Sequence, residues 1–188
     1  MKTTQPIRNK KQVRQFLSYY RKQGQYRNWV LVTLCIHTAL RISDILMLRT
    51  DDVYDFKKQR IRTSFSIIEG KTKKSKTVKI NKSVAVALMA YLSEMESGKA
   101  LILSPRTGKA ISRIQAHRLI RDAAVAVGIE GNVSCHSLRK TFGYHAWKEG
   151  VSPAVIMEIY NHSSLAVTRR YLGVTQSDMD EVYMRLVF

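Results

Sequence analysis

Residues 136–171 read HSLRKTFGYHAWKEGVSPAVIMEIYNHSSLAVTRRY. His136 and Arg139 stand three apart, so a helix presents them on one face. Gly150 closes that helix. Ser152-Pro153 opens the next, as an N-cap followed by a proline at the first helical position. The segment Ala154 to Tyr160 ends at Asn161-His162, and Ser164 can cap a third helix carrying Arg169, Arg170 and Tyr171. Three helices joined by tight turns thus gather imidazoles, guanidiniums and a phenol within 36 residues. A guanidinium suits phosphate because its planar fork donates parallel hydrogen bonds and stays charged. A tyrosine hydroxyl attacks phosphorus when a neighbour accepts its proton.

Outward from this stretch the chain stays helical, with one hairpin. Val13, Phe16, Leu17 and Tyr20 recur at helical spacing, and Gly24 ends them. Residues 27–40 are apolar nearly all round, which predicts a buried helix. Ser43 is placed to cap a short helix with Asp44 in its first turn, which leaves Arg41 at a junction in apolar sequence. A charge there is either paired, with Asp44 the near candidate, or turned into a cleft. Ile61, Thr63, Phe65 and Ile67 alternate with Arg62, Ser64 and Ser66, a strand pattern. Glu69 to Ser75 reads as a turn and Thr77 to Ile80 as the return strand, with Lys71, Lys73, Lys74 and Lys76 crowded on the hairpin. Ser83 is placed to cap a helix through Met95, with Val84, Leu88, Met89 and Leu92 inward. Ser112 caps another through Val127, and Gly128 follows it. Met179, Val182, Tyr183 and Leu186 form a last apolar stripe, fit for the chain's own core or for a neighbouring protomer. Residues 1–9 carry no such pattern and read as an unstructured basic tail. The expected class is mainly α with a small antiparallel β-sheet (α+β), in one compact unit.

Totals narrow the partners. With 188 residues and 45% hydrophobic content the chain can bury a core without staples. Its net charge of +18, from 32 Lys+Arg against 14 Asp+Glu, calls for a polyanion: nucleic acid, or an anionic membrane. Residues 1–27 hold eight Lys/Arg and no acid, and residues 57–82 hold ten with one acid, Glu69. Two such runs flanking a phosphate-suited cluster favour a nucleic-acid surface over two merely solvated faces. Cys35 and Cys135 make neither a disulfide framework nor a CxxC, and a reduced, cytoplasmic compartment is the simpler reading. No run of about 18 apolar residues occurs, so no membrane-spanning segment is expected, and with the basic runs favouring nucleic acid the expected partners include no membrane.

Cutting a phosphodiester without metal needs fixed cations for the charge that develops on the non-bridging oxygens, and Arg41 and Arg139 are candidates. One group must lose a proton and another gain one, which histidine and lysine do near neutral pH. A Walker-type loop and a GxGxxG are absent from the sequence. Cys35 with His37, and Cys135 with His136, lack the paired spacing of a zinc site, and Asp51-Asp52 stands alone as a magnesium candidate. The residues alone leave alternatives open. His136 can equally be a core or capping residue, His162 can close the preceding helix, and nine tyrosines compete as nucleophile.

The order Ala39-Leu40-Arg41-Ile42-Ser43-Asp44-Ile45-Leu46, Gly70-Lys71-Thr72, His136-Ser137-Leu138-Arg139-Lys140-Thr141, His162-Ser163-Ser164 and Arg170-Tyr171-Leu172 resembles the tyrosine recombinases, or phage-type integrases. Each motif is modest, but the five in this order are specific, and they match the family's catalytic domain from about residue 10 onward. The resemblance implies that Arg41 and Arg139 clamp the scissile phosphate, with Asp44 supporting Arg41. Lys71 would protonate the leaving 5′-oxygen, with Lys73 or Lys74 as substitutes if the hairpin register slips. His136 would be the acid/base beside the nucleophile, His162 a further phosphate donor, and Tyr171 the nucleophile that forms a 3′-phosphotyrosyl link. Lys73, Lys74, Lys76 and Arg170 would contact DNA. Neither metal nor ATP is needed, because the phosphotyrosine keeps the bond energy.

The family pattern usually has Leu-Gly before the His162 position. Here it is Tyr160-Asn161, and asparagine accepts the left-handed backbone such a turn needs. The domain expectation is a tail over 1–9 and one catalytic domain over 10–188, with no separate N-terminal core-binding domain. The implied partners are double-stranded DNA and further copies of the chain assembled on it, with room for an accessory DNA-bending protein. Two other activities fit the same residues: a type IB topoisomerase-like relaxing enzyme, and a non-catalytic DNA-binding protein that kept the fold.

Overall fold

A computed structural model of the chain describes residues 4–93 and 95–187. Ten helices and four short strands occur among them. Helix α2 (Tyr26–His37) is the axis: Asn28 to Ile36 are all buried, as an all-round apolar segment requires. Against it pack α1 (Lys10–Lys22), α3 (Ile42–Ile45), α5 (Lys82–Leu92), α6 (Arg113–Ala126) and α7 (Cys135–Lys148). A second, smaller core of Ala39, Ile156, Tyr160 and Leu172 lies between α7, α8 (Pro153–Tyr160) and α9 (Leu165–Leu172).

Caps settle where the helices begin. Ser112, Ser152 and Ser164 cap as expected, each accepting from a backbone N–H in the first turn. Two others start earlier than their serines suggested. Asn81 caps α5 by accepting from Val84 N at 3.0 Å, so Ser83 lies inside the helix. Arg41 is itself the N-cap residue of α3, without a side-chain cap bond, and Ser43 lies within that helix. Met89 faces solvent and Ala87 takes its inward place.

The expected single sheet is two antiparallel pairs. Strand β1 (Tyr54–Asp55), which follows α4 (Thr50–Val53), pairs with β2 (Arg60–Ile61), and β3 (Ser64–Ile68) pairs with β4 (Ser75–Lys79). The alternating segment therefore breaks after Ile61, and Thr63 is exposed. In the second hairpin Phe65 pairs with Val78 and both are buried, while the lysine-bearing turn projects from its end.

Residues 4–9 form neither helix nor strand, yet they are docked. Ile7 is buried, its N–H donates to Thr141 Oγ1 at 2.9 Å, and Arg8 Nη2 donates to Gly173 O at 2.6 Å. This corrects the unstructured tail: one buried apolar residue and a set of long-range hydrogen bonds hold the segment across α7. Helix α10 (Gln176–Arg185) leaves Val182, Tyr183, Met184 and Leu186 exposed, so its apolar stripe does not pack into the chain's own core.

Candidate active site

Arg139 joins two turns of the same unusual conformation. Ala39 and Asn161 both have left-handed backbone, φ 55° and 51°. For a residue with a Cβ this costs about 1 kcal/mol, so it persists only where something holds it. Arg139 Nη1 donates to Ala39 O, and Nη2 donates to Tyr160 O at 2.9 Å, next to Asn161. Tyr160 answers from below, its hydroxyl donating to Arg139 O at 2.6 Å and its ring lying 4.6 Å from the guanidinium carbon. The helix carrying Arg139 leaves room for that ring through Gly143, where a Cβ would meet the Tyr160 hydroxyl. Arg139 is 2% exposed, and its Nε has no partner among the described residues. Each of its terminal nitrogens also carries a second hydrogen. The first turn leads into Arg41 and the second into His162, so one buried side chain sets the entry to both.

Arg41 does not rely mainly on Asp44. Its Nη1 is 4.0 Å from Asp44 Oδ2 but 3.0 Å from Glu69 Oε2. Asp44 is spent largely on the hairpin, accepting from Gly70 N at 3.1 Å. Glu69 is fully buried and also accepts from Thr72 Oγ1 at 2.7 Å and Asn161 Nδ2 at 3.0 Å. Burial pushes its carboxyl up, but these hydrogen bonds and the Arg41 charge outweigh that and hold it below the ordinary range. In sequence Glu69 was only the lone acid of a basic run. Twenty-eight positions from Arg41, it offered no spacing signal.

Tyr171 lies between two imidazoles, its ring centroid 4.8 Å from His136 and 4.5 Å from His162. His162 is oriented by Thr168, Nδ1 to Oγ1 at 3.0 Å. Burial first, then the Arg139 and Arg41 charges, push His162 down to about 4. His136 is also lowered, by burial and then by Lys140, Arg139, Arg41 and Lys71. Both rings are therefore neutral at pH 7 and able to accept a proton. Because the unfolded chain takes up these protons near the ordinary value and the folded chain resists them, stability falls as pH drops from about 6.5 toward 4. The urea midpoint should be lower at pH 5 than at pH 7.5, and His162→Gln should flatten that difference.

Arg41, Lys71, His136, Arg139 and Tyr171 line one cavity of about 1090 Å³, and His162 backs it through Tyr171. The same cavity is also lined by Arg113, His117, Arg118 and Arg121 of α6, a basic row on a helix that its cap and closing glycine marked in the sequence without pointing to the site. Lys71, Lys73 and Lys74 are exposed on the hairpin turn. Lys76 points inward instead, its Nζ donating to Ile159 O at 2.6 Å, and burial together with Arg139 and Arg41 lowers it to about 8. Arg170 lies elsewhere, beside a separate groove lined by Trp147, Leu165 and Val174. Among the described residues no group of three or more His, Cys, Asp or Glu could hold a metal, and no helix is long and apolar enough to cross a membrane.

Residues 8–178 match the phage integrase family. The chain is 37% identical over 183 residues to the probable integrase/recombinase YoeC of Bacillus subtilis, covering 97% of each chain. It is 32% identical over 168 residues to the tyrosine recombinase XerD of Mycobacterium leprae, with 84% of this chain aligned to 51% of that one. It thus spans nearly the whole of the first relative and about half of the second. Its fold matches the site-specific recombinase XerH, solved on a palindromic difH substrate as a post-cleavage complex, with a TM-score of 0.74 at 18% identity, covering 98% of this chain and 54% of that one. Two arginines, the His136 imidazole and Tyr171 thus line one basic cavity, with His162 packed behind the tyrosine, and the chain belongs to the phage integrase family, the tyrosine recombinases.

Proposed function

We propose that the chain is a site-specific DNA recombinase or integrase that cuts and rejoins strands through a 3′-phosphotyrosyl intermediate, with Tyr171 as the nucleophile. The observation that carries this reading is the packing of Tyr171 against two neutral imidazoles beside Arg41 and Arg139. The tyrosyl oxygen attacks phosphorus, the proton passes to His136, and the 5′-oxygen leaves with a proton from Lys71. Arg41, Arg139 and His162 donate to the non-bridging oxygens as their charge grows. Double-stranded DNA is the partner, held by the α6 row, Lys73 and Lys74, with Arg170 on its own groove. The exposed stripe of α10 supports assembly with further copies of the chain on that DNA. An accessory DNA-bending protein would act on the DNA and not on this site.

The test is a nicked suicide substrate carrying DNA from either side of the chain's own coding region, on which the wild-type chain should accumulate a covalent adduct; absence of adduct there would sink the reading. Lys71→Ala should slow cleavage about 100-fold or more with a 5′-oxygen leaving group and little with a 5′-sulfur, which leaves without a proton. Equal slowing on both substrates would remove Lys71 from the acid role.

A further inference from the structure

Glu69 Oε2 is where three separate parts of the chain meet: Arg41 from the turn after α2, Thr72 from the hairpin turn, and Asn161 from the turn after α8. The Asn161 amide is not there for its backbone. At φ 51° and ψ 42° the turn requires only a residue that tolerates the left-handed region, and glycine does so at lower cost. The side chain adds one thing glycine cannot, the 3.0 Å hydrogen bond to a carboxylate that is itself 3.0 Å from Arg41. Glu69 Oε1 has no partner among the described residues, so the carboxylate's orientation depends on what Oε2 receives.

We propose that Asn161 is a positioning residue for phosphate capture: its amide fixes the Glu69 carboxylate, which holds the Arg41 guanidinium toward the cavity. The same bond sets the turn before His162 against the hairpin that carries Lys71, a junction Lys76 closes from the other side through Ile159 O. Arg41 is about one-fifth exposed, so without this strut its long side chain regains rotamers that point away from the phosphate. This inference rests on the phosphotyrosyl reading above.

The test is Asn161→Gly, which keeps the turn and removes the amide. Single-turnover strand cleavage of the suicide phosphodiester should fall about 10- to 100-fold, as expected for a misplaced phosphate ligand, with DNA affinity and thermal midpoint little changed. On a methylphosphonate at the scissile position, whose neutral centre needs the Arg41 charge far less, the variant should cleave as fast as wild type. Asn161→Gly added to Glu69→Gln should cost nothing beyond Glu69→Gln alone, because both act on the same guanidinium. Equal slowing on both substrates, additive losses, or an unslowed phosphodiester reaction would each overturn the proposal. Wild-type adduct with an unslowed variant removes this inference alone, whereas no wild-type adduct on either substrate removes the phosphotyrosyl reading beneath it.

Discussion

Tyr171→Phe should abolish the covalent protein–DNA adduct while leaving DNA binding and fold intact. The lost hydroxyl is the only change, and phenylalanine can keep the ring contacts to His136, His162 and Tyr160 at centroid distances of 4.8, 4.5 and 5.4 Å. Lys140 Nζ, 5.7 Å from the ring, keeps an aromatic face as well. Tyr171 is the one tyrosine among the residues lining the cavity, and its neighbour Tyr160 is fully buried with its hydroxyl committed to Arg139 O. Loss of a nucleophile typically costs about ten-thousand-fold or more, so adduct should drop below detection in a denaturing gel. Adduct surviving in this variant would assign the attack to a different residue.

Arg139→Ala should damage both chemistry and fold, a pairing not expected for Tyr171→Phe. Its guanidinium donates to Ala39 O and Tyr160 O, which belong to the turns leading to Arg41 and His162. Hydrogen bonds from a buried charged group contribute about 1.5–3 kcal/mol each, so removing two, with a cavity left above Tyr160, should lower stability by about 3 kcal/mol or more in urea unfolding. Removal of one donor to a developing oxyanion costs about 100- to 1,000-fold in rate, and here two flanking phosphate ligands lose their support as well. Single-turnover cleavage should therefore fall by at least about 1,000-fold. Arg139→Lys separates the two effects. It keeps the positive charge, but one ammonium lacks the fork that reaches both carbonyls, so it should recover part of the stability and little of the rate. A lysine variant with near-wild-type cleavage would reduce Arg139 to a point charge.

The helices and the residue types of the site were legible because their signals are local. Ser112, Ser152-Pro153 and Ser164 are caps read within four residues, and the all-apolar segment of α2 can only be buried. His136 with Arg139 on one helical turn, and Asn161 in a left-handed turn before His162, follow from the same short-range rules. Ser43 and Ser83 misled because a serine near a helix start is only one of several available caps, and Asn81 stood two residues earlier.

A mainly helical chain, a strong demand for a polyanionic partner, and a set of phosphate-suited side chains in a family-specific order are all written in the order of residues along the chain. How those side chains are held emerges from the packed fold. Glu69 as the partner of Arg41, Lys76 turned inward onto Ile159 O, the docking of Ile7 and Arg8 across α7, and the α6 row lining the same cavity as Arg41 and Tyr171 all join residues far apart in the chain. Periodicity and spacing carry information over about one or two helical turns. A buried carboxylate shared by three turns is fixed by packing, and no local pattern in the sequence encodes which charges that packing brings together.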